Sequence, residues 1–277
     1  KIVPLGNRIV AGCSDGMHLK GNEHQPRIEN CHIERTMDDA IHIKMSGDAI
    51  TEVLAPDKFR IAHKDILWDN TNLGTGKKVM VFNPETSRQL AECTIADYQP
   101  INCREGIVTL DQDVAEADTK TCLYLQSDEE AVIENCTFGT QLQRGILTHQ
   151  PTRVSGCTIE DNGLAFELAL MSGGIEGPPT QRLTVENCTF RNLAWGGISD
   201  VCPSHGYNQK GTPQLVIRNC TFDMWHNVPL VSAVNSSGVS FTGNTIIRKD
   251  GNSTAASCFR LVNTPMLENI GNKYQTE

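Results

Sequence analysis

Two short segments of this sequence repeat each other, and both carry carboxylates. Residues 14–20 (Ser-Asp-Gly-Met-His-Leu-Lys) align with residues 38–44 (Asp-Asp-Ala-Ile-His-Ile-Lys), so that Asp15 is matched by Asp39 one repeat later. Asp38 has no acidic counterpart, because a serine stands in its place in the first copy. Three carboxylates held at one point of a rigid surface suit general acid–base chemistry. Asp15, Asp38 and Asp39 are therefore the candidate catalytic residues.

The spacing of these segments indicates how the chain holds them. Some 24 residues are about one coil of a parallel β-helix, in which neighbouring coils lie about 4.8 Å apart. Side chains alternate along the two strands, so the apolar residues face the core. His18, His42 and the lysines two residues after them, Lys20 and Lys44, then face outward. We expect both histidines to bind substrate beside the acids. Strict alternation would bury Asp15 and Asp39, which is costly for a charge, so we place them where the chain bends and Asp38 and Asp39 reach solvent.

The residues alone leave two other interpretations of the three acids open. Stacked aspartates also terminate β-helix strands, and Asp-Gly is a common turn, so the acids can form a structural ladder. Three clustered carboxylates would also suit Ca²⁺, which prefers oxygen ligands.

A second repeat indicates the fold. An apolar residue, two further residues, a cysteine, one residue and Ile or Phe recur at Cys31, Cys136, Cys157, Cys188 and Cys220, and Asn244 takes the cysteine's place in a sixth copy. The Asn or Gly before each cysteine suits a tight bend with left-handed backbone angles. We interpret the cysteines as small buried filler rather than as disulfides.

An apolar residue follows most of these cysteines at a fixed distance, which predicts a second strand in each coil. It stands ten residues on at Ile41, Ile146, Ile198 and Leu230, and slips by one to Phe166. Stacked coils bury a continuous core that one coil cannot bury alone. The sequence therefore predicts an all-β fold, a parallel β-helix.

One interval is too long for a single coil, since 105 residues separate Cys31 from Cys136. The additional residues form short apolar segments separated by turn residues, and we interpret these segments as β-strands. We expect β-helix coils over 1–45, an inserted small antiparallel β-domain, barrel-like, over 46–130, and further coils over 131–277.

Four further residues are candidates for substrate binding. Arg144 occupies the place of Asp39 in the Cys136 coil and suits a carboxylate or a sugar hydroxyl. Trp195 occupies the place of Asp38 in the Cys188 coil, and an exposed Trp offers an apolar face to a sugar ring. Glu176 and His205 lie in long loops that we expect to form the walls of a cleft.

Composition narrows the partners. The 277-residue chain has a formal net charge of −9, which argues against nucleic acid, because phosphate binding needs a basic surface. No apolar run is long enough to span a membrane. The N-terminus lacks the apolar region of a signal peptide, although a processed chain would lack it too. The first residues hold barely one coil, and solenoids need covered ends, so we expect either a preceding segment that is missing from this chain or another element that covers that end.

The order of these motifs resembles glycoside hydrolase family 110. It consists of Ser-Asp-Gly, Asp-Asp one coil later, an inserted β-domain and then Arg-Gly-Ile-Leu at 144–147. More distantly it is similar to the polygalacturonase-like family 28, whose Gly-His-Gly and Arg-Ile-Lys motifs are not found here. The resemblance implies a right-handed parallel β-helix that releases terminal α-1,3-linked galactose with inversion.

The resemblance also assigns roles. Asp38 would protonate the leaving oxygen, and Asp15 and Asp39 would hold and deprotonate the water. It implies a galactose-terminated glycan as partner, no cofactor and no metal, and a secreted or periplasmic location of bacterial type. A homo-oligomer stays open. The alternatives are another β-helix glycosidase or lyase acting on a polysaccharide, and a carbohydrate-binding β-helix without catalysis.

Overall fold

The computed structural model describes residues 1–22, 24–45, 47–63, 73–168, 176–178, 180–201, 214–249 and 254–276. Within these residues the chain forms a parallel β-helix, whose coils stack into three seven-stranded sheets, and one closed antiparallel barrel. The predicted all-β class and the stacked parallel coils are confirmed. Among the described residues, no helix combines the length and the hydrophobicity needed to cross a membrane.

Each sheet takes one strand from each coil. The first, called the site sheet below, contains β1 (Met17–Lys20), β4 (Ile41–Lys44), β13 (Arg144–Thr148), β16 (Leu164–Glu167), β19 (Gly196–Val201), β22 (Val231–Val234) and β25 (Phe259–Val262). The second contains β2 (Arg27–Glu29), β11 (Ala131–Glu134), β14 (Thr152–Ser155), β17 (Leu183–Glu186), β20 (Leu215–Arg218), β23 (Val239–Thr242) and β26 (Met266–Ile270). The third contains β3 (His32–Glu34), β12 (Thr137–Gly139), β15 (Thr158–Glu160), β18 (Thr189–Arg191), β21 (Thr221–Met224), β24 (Thr245–Arg248) and β27 (Lys273–Thr276).

The barrel interrupts the coils between β4 and β11. Its strands are β5 (Gly47–Ala55), β6 (Lys58–His63), β7 (Lys78–Asn83), β8 (Arg88–Pro100), β9 (Glu105–Leu110) and β10 (Cys122–Leu125). They close in the order β10-β5-β6-β9-β8-β7 and enclose a hydrophobic core distinct from that of the coils. A short 3-10 helix, Ala255–Cys258, precedes β25.

The coil core consists of in-register columns of side chains. Ile41, Ile146, Phe166 and Ile198 form one such column in the site sheet, as predicted from the cysteine spacing. Val231, not the predicted Leu230, continues the column. Leu230 is also buried, but it lies just before β22 begins, so the spacing rule slips by one residue in this coil too.

The turn between the second and third sheets is the same in nearly every coil, and we call it the Cys corner. Asn30, Asn135, Gly156, Asn187 and Asn219 precede the cysteines there, with φ between 54° and 63°. The backbone N–H of one cysteine donates to the Sγ of the next, as from Cys136 to Cys157 at 3.3 Å. Asn244 replaces the sulfur with an amide oxygen, which accepts from Cys220 N at 2.8 Å. The cysteines of this column are free thiols.

Candidate active site

The acids of the two repeated segments lie in register just before the site sheet begins, and we call this place the acidic corner. β1 pairs with β4 from Met17 opposite Ile41, and β4 continues the ladder to β13. Two residues before that first pair, Asp15 lies beside Asp39 of the next coil, and Asp39 lies beside Arg144 of the coil after it. The β-helix register thus brings together residues that the inserted barrel separates in sequence.

The three carboxylates share one open cavity of about 360 Å³. One oxygen of each of Asp15, Asp38 and Asp39 lies within 4.8 Å of an oxygen of each of the others. Their exposure differs, since the side chain of Asp38 is 38% exposed and that of Asp39 only 2%. The expectation that Asp39 reaches solvent was therefore wrong, because the Arg144 side chain lies against its carboxylate.

Asp15 carries the most stable negative charge of the three. His18 Nδ1 lies 2.8 Å from its Oδ2, His42 Nδ1 lies 3.5 Å from the same oxygen, and the Asp39 backbone N–H donates to Oδ1 at 3.3 Å. Burial alone would raise the pKa of Asp15, but these hydrogen bonds and the charge of His42 outweigh it and hold the pKa well below its usual range. Asp15 is therefore ionised throughout the neutral range.

The pKa values of the other two acids are raised. Burial and the charge of Asp15 raise the pKa of Asp38, against the opposing effect of Arg144. Burial raises the pKa of Asp39 to about 7, although Arg144 Nη1 donates to both its oxygens, at 3.1 and 3.4 Å. A group whose pKa lies near neutral can accept or release a proton easily there. The arrangement thus makes Asp15 a fixed anion, gives Asp39 a pKa near neutral and raises the pKa of Asp38 above its ordinary value.

Arg144 is held in place by a residue that the sequence does not reveal. Its Nε donates to Glu167 Oε2, and its Nη1 also donates to Gln143 Oε1 at 3.1 Å. Glu167 lies one coil further on, in the register column that contains His42. Glu167 stands ten residues after Cys157, at the place from which the pattern of apolar residues slips to Phe166, so that pattern passes over it. Extending the comparison along the strand would have found it.

The predicted residues His18, His42 and Glu176 also line the cavity. His18 is partly open, with 42% of its side chain exposed, and its ring centroid lies 4.5 Å from that of His42. His42 faces away from the coil core but is only 4% exposed, because neighbouring groups cover it; Glu176 Oε2 lies 4.0 Å from its Nε2. Its burial corrects the expectation of a solvent-facing histidine.

Of the other two predicted binding residues, Trp195 is described by the structure and lies apart from the acids. Among the described residues that line the cavity, Trp195 does not occur. Its exposed ring covers Gly163 of the preceding coil, where a Cβ atom would come within 2.6 Å of the ring. Gly163 in turn adjoins the carbonyl oxygen of Gln143, a cavity residue. Trp195 therefore lies on the surface next to the cavity, further along the stack of coils. His205 lies outside the described residues.

His149 is a second residue that the sequence does not single out. It follows β13, is 1% exposed, and its ring centroid lies 6.1 Å from that of His42. Its Nδ1 lies 2.9 Å from the backbone oxygen of Pro178. Burial lowers the pKa of His149 to about 3, and the charges of His42, Lys44 and Arg144 act in the same direction against the Pro178 bond. The ring is therefore neutral.

Three groups in this region have side-chain donor atoms close enough to share a metal ion. They are Asp15 with His18 and His42, His42 with His149 and Glu176, and the three aspartates. His42 belongs to two of them, so the histidines connect the acids to the buried His149.

Comparison with known proteins agrees with the fold. Residues 101–264 match the family model described as a right handed beta helix region. Alpha-1,3-galactosidase B of Bacteroides thetaiotaomicron is 25% identical over 258 residues, which cover 87% of this chain and 42% of that protein. Alpha-1,3-galactosidase A of Bacteroides fragilis (strain NCTC 9343) is 25% identical over 272 residues, which cover 89% and 43%. The chain thus spans about two fifths of the length of the curated relatives it matches.

Proposed function

Since the chain belongs to the right-handed β-helix family, we propose that its acidic corner is the catalytic centre of a glycoside hydrolase that removes terminal α-1,3-linked galactose with inversion. The observation that carries this proposal is the cluster of three carboxylates within 4.8 Å of one another in one cavity. The similarity to two Bacteroides α-1,3-galactosidases supports a glycosidase and names the linkage.

In this proposal Asp38 is the general acid. Its carboxyl is the most exposed of the three, so it can reach a glycosidic oxygen in the cavity. Burial and the neighbouring Asp15 raise its pKa, which keeps a proton available for the leaving group. Protonation of the leaving oxygen lets the bond to the anomeric carbon break without release of an alkoxide.

Asp39 and Asp15 hold the attacking water. Asp39 is the base, because a pKa of about 7 lets it take a proton from water near neutral pH. Asp15 stays ionised, so it accepts a second hydrogen bond from that water and stabilises positive charge on the sugar in the transition state. Arg144 fixes the Asp39 carboxylate, and His18 and the exposed part of Glu176 supply polar contacts for galactose hydroxyls, while the buried His42 supports Asp15.

The spacing of the acids makes the stereochemistry the sharpest point to test. Inverting enzymes commonly place the acid and base about 6.5–9.5 Å apart, and retaining enzymes about 5–5.5 Å. The oxygens here approach more closely than the inverting range. Inversion is supported instead by the bonding of Asp39: Arg144 donates to both its oxygens and so holds the carboxylate as a base rather than as a nucleophile, while a remaining lone pair on an oxygen can still accept a hydrogen bond from water.

The test is an assay on p-nitrophenyl α-galactoside and on an α-1,3-linked digalactoside, with proton NMR of the first anomer released. We expect β-galactose first, and loss of turnover in Asp39→Asn. Initial α-galactose would replace inversion by retention, and full activity in Asp39→Asn would refute the site. A wild-type protein that binds the glycan without turnover would identify a binding module. Such a glycan substrate also fits the predicted export of the protein from the cell.

A further inference from the structure

Three adjacent polar atoms beside the acidic corner have no hydrogen-bond partner among the described residues. They are Nε2 of His42, Nε2 of His149 and Oε2 of Glu176, and each is shielded from solvent. His42 Nε2 lies 4.0 Å from Glu176 Oε2, and one donor atom of each of the three residues lies within 4.8 Å of a donor atom of each of the others. Buried polar atoms are nearly always paired, and an unpaired one costs about 1–3 kcal/mol. Three of them at one point indicate a ligand.

The opposite side of each imidazole is already engaged. His149 Nδ1 lies 2.9 Å from the Pro178 carbonyl oxygen, and His42 Nδ1 lies 3.5 Å from Asp15 Oδ2. An oxygen acceptor at Nδ1 places the ring proton there and leaves a lone pair on Nε2. Metal-bound histidines have this pattern, with the distant nitrogen donating to a carbonyl or a carboxylate.

The backbone brings Glu176 to the two rings by a glycine-dependent path. Gly177 has φ +142°, and a Cβ atom there would lie 2.6 Å from the Cβ of His149. The chain can therefore pass directly over His149 only with glycine at this position. The Met45 backbone N–H donates to the Glu176 carbonyl at 3.0 Å and fixes the segment against the site sheet.

A single water molecule does not account for the three atoms. When both rings are neutral with their proton on Nδ1, which is the form in which His42 can bind a metal ion, the site presents two nitrogen lone pairs and a carboxylate oxygen, all acceptors. One water donates only two hydrogen bonds, so one acceptor would stay unpaired. A cation satisfies all three at once.

We propose that His42, His149 and Glu176 bind a divalent transition-metal ion, of which Zn²⁺ is the representative. Two imidazoles and one carboxylate are ligands typical of Zn²⁺, and two nitrogen ligands disfavour Ca²⁺ and Mg²⁺. Tetrahedral bonds of about 2.0–2.2 Å separate ligand atoms by about 3.4 Å. His42 Nε2 and Glu176 Oε2 are 4.0 Å apart, so small side-chain rotations complete the geometry.

The neighbouring group of Asp15, His18 and His42 is the weaker competitor. His18 is exposed, and its Nδ1 already lies 2.8 Å from Asp15 Oδ2. That group contains a satisfied pair, whereas each ligand atom of the His149 group is unsatisfied. The proposed ion does not depend on galactosidase activity, since it concerns binding alone.

The experiment measures metal binding without turnover. The purified protein is stripped with a chelator, dialysed and titrated with Zn²⁺ by calorimetry, and the bound metal is counted by mass spectrometry. We expect one equivalent, and an affinity loss in His149→Ala larger than the 10–100-fold typical of losing a residue that only supports a ligand. His32→Ala is the matched control, because His32 lies on the third sheet beside Glu34.

Further results would overturn the proposal. These are no stoichiometric Zn²⁺, unchanged binding in His149→Ala, or binding lost in His18→Ala alone, which would place the ion on the competing group. If His149→Ala does not fold, Co²⁺ added to the wild-type protein decides. A visible spectrum of a four-coordinate nitrogen–oxygen site supports the proposal, and a thiolate charge-transfer band assigns the metal to cysteines and refutes it.

Discussion

The Cys corner and the acidic corner are two turns of the same coils, but residues recur from coil to coil at the Cys corner and change from coil to coil at the acidic corner. At the Cys corner the same residues recur, and each coil repeats the left-handed Asn or Gly of the one before. At the acidic corner the residues in the place of Asp39 change from Asp to Arg144 and then to Leu164 and Gly196. Repetition maintains the stack, whereas variation within an equivalent register creates a local site.

The energetic needs of the two corners explain this difference. A stacked ladder is stable when each coil offers the next the same donor and acceptor, so cysteine and Asn244 are interchangeable there. Identical carboxylates stacked at about 4.8 Å would repel one another. At the acidic corner Arg144 and the histidines relieve the repulsion. Burial raises the pKa of Asp39, and the histidines lower that of Asp15, so the two acids have unequal pKa values.

The largest expected effect is on turnover at the acidic corner. Asp38→Asn removes the proposed acid while keeping its shape, so we expect kcat on an α-1,3-digalactoside to fall about 10²–10⁴-fold. The thermal midpoint should stay near that of the wild type. Asp128→Asn is the control, because Asp128 is a highly exposed carboxylate that pairs with Lys78. Equal activity in both variants would show that Asp38 is not the general acid and that the acidic corner is not the catalytic centre.

The second effect concerns stability and pH. The pKa of Asp39 is raised in the folded protein to about 7 from an ordinary value of 3.8, so between these values the folded state binds more protons than the unfolded state. The contribution of Asp39 to the free energy of unfolding should therefore fall as pH rises from about 4 to 7 and then level off. His149, whose pKa burial lowers to about 3, contributes in the opposite direction over about pH 3 to 6.5, so the Asp39 contribution is measured as a difference between the wild type and a variant.

Asp39→Asn should reverse this loss. The neutral amide needs no proton, so at pH 8 the variant should be more stable than the wild type by about 1–3 kcal/mol, with little gain at pH 4. Urea unfolding at the two pH values measures it. A variant less stable at pH 8 would mean that the ion pair with Arg144 outweighs the cost of burying Asp39.

A smaller effect is expected where Arg144 is positioned. Glu167→Gln weakens the ion pair that holds Arg144, so we expect kcat/KM to fall about tenfold through misplacement of the site. Because Arg144 lowers the pKa of Asp39, the acidic limb of the pH–rate profile should also move to higher pH. Glu160→Gln, which affects an exposed pair with Arg191, should change neither quantity. An unmoved acidic limb in Glu167→Gln would show that Glu167 does not act through Arg144.

The smallest effect belongs to the Cys corner. Asn187 has φ +56°, a conformation that costs alanine about 1 kcal/mol or more. Asn187→Ala should lower the free energy of unfolding by that amount and leave kcat and KM unchanged, and Asn187→Gly should be close to wild type. Altered kinetics with unchanged stability would contradict the structural role of this corner.

The repeats explain why the fold was readable in advance. Asn or Gly before a cysteine indicates a left-handed backbone angle together with a small buried side chain, so the five copies, four with Asn and one with Gly, predict both the turn and the stacking. The pairing of Asp15 with Asp39 follows from the same periodicity, and so does the placement of Arg144. Leu230 shows where prediction from the spacing fails. In this coil the strand starts one residue later, so Val231 takes the predicted place of Leu230, and the sequence pattern does not reveal the shift.

Glu167 and His149 could not be found in this way. Neither repeats a residue of an earlier coil, and each matters only through its neighbour, Glu167 through Arg144 and His149 through His42. Strict alternation suggested that Asp39 is buried, but the cost of burying a charge argued against it. Arg144, which lies against the Asp39 carboxylate and offsets that cost, is seen only in the tertiary structure.

The amino-acid sequence by itself determined the coil, its turns and the approach of three acids, because periodicity converts distance along the chain into stacking. Only the tertiary structure decided which acid is ionised, which is buried and which atoms are left unpaired. Those properties depend on desolvation and on contacts across coils, to which residues distant in sequence contribute. Asp15 and Asp39 are the same residue type at equivalent positions, yet their pKa values shift in opposite directions.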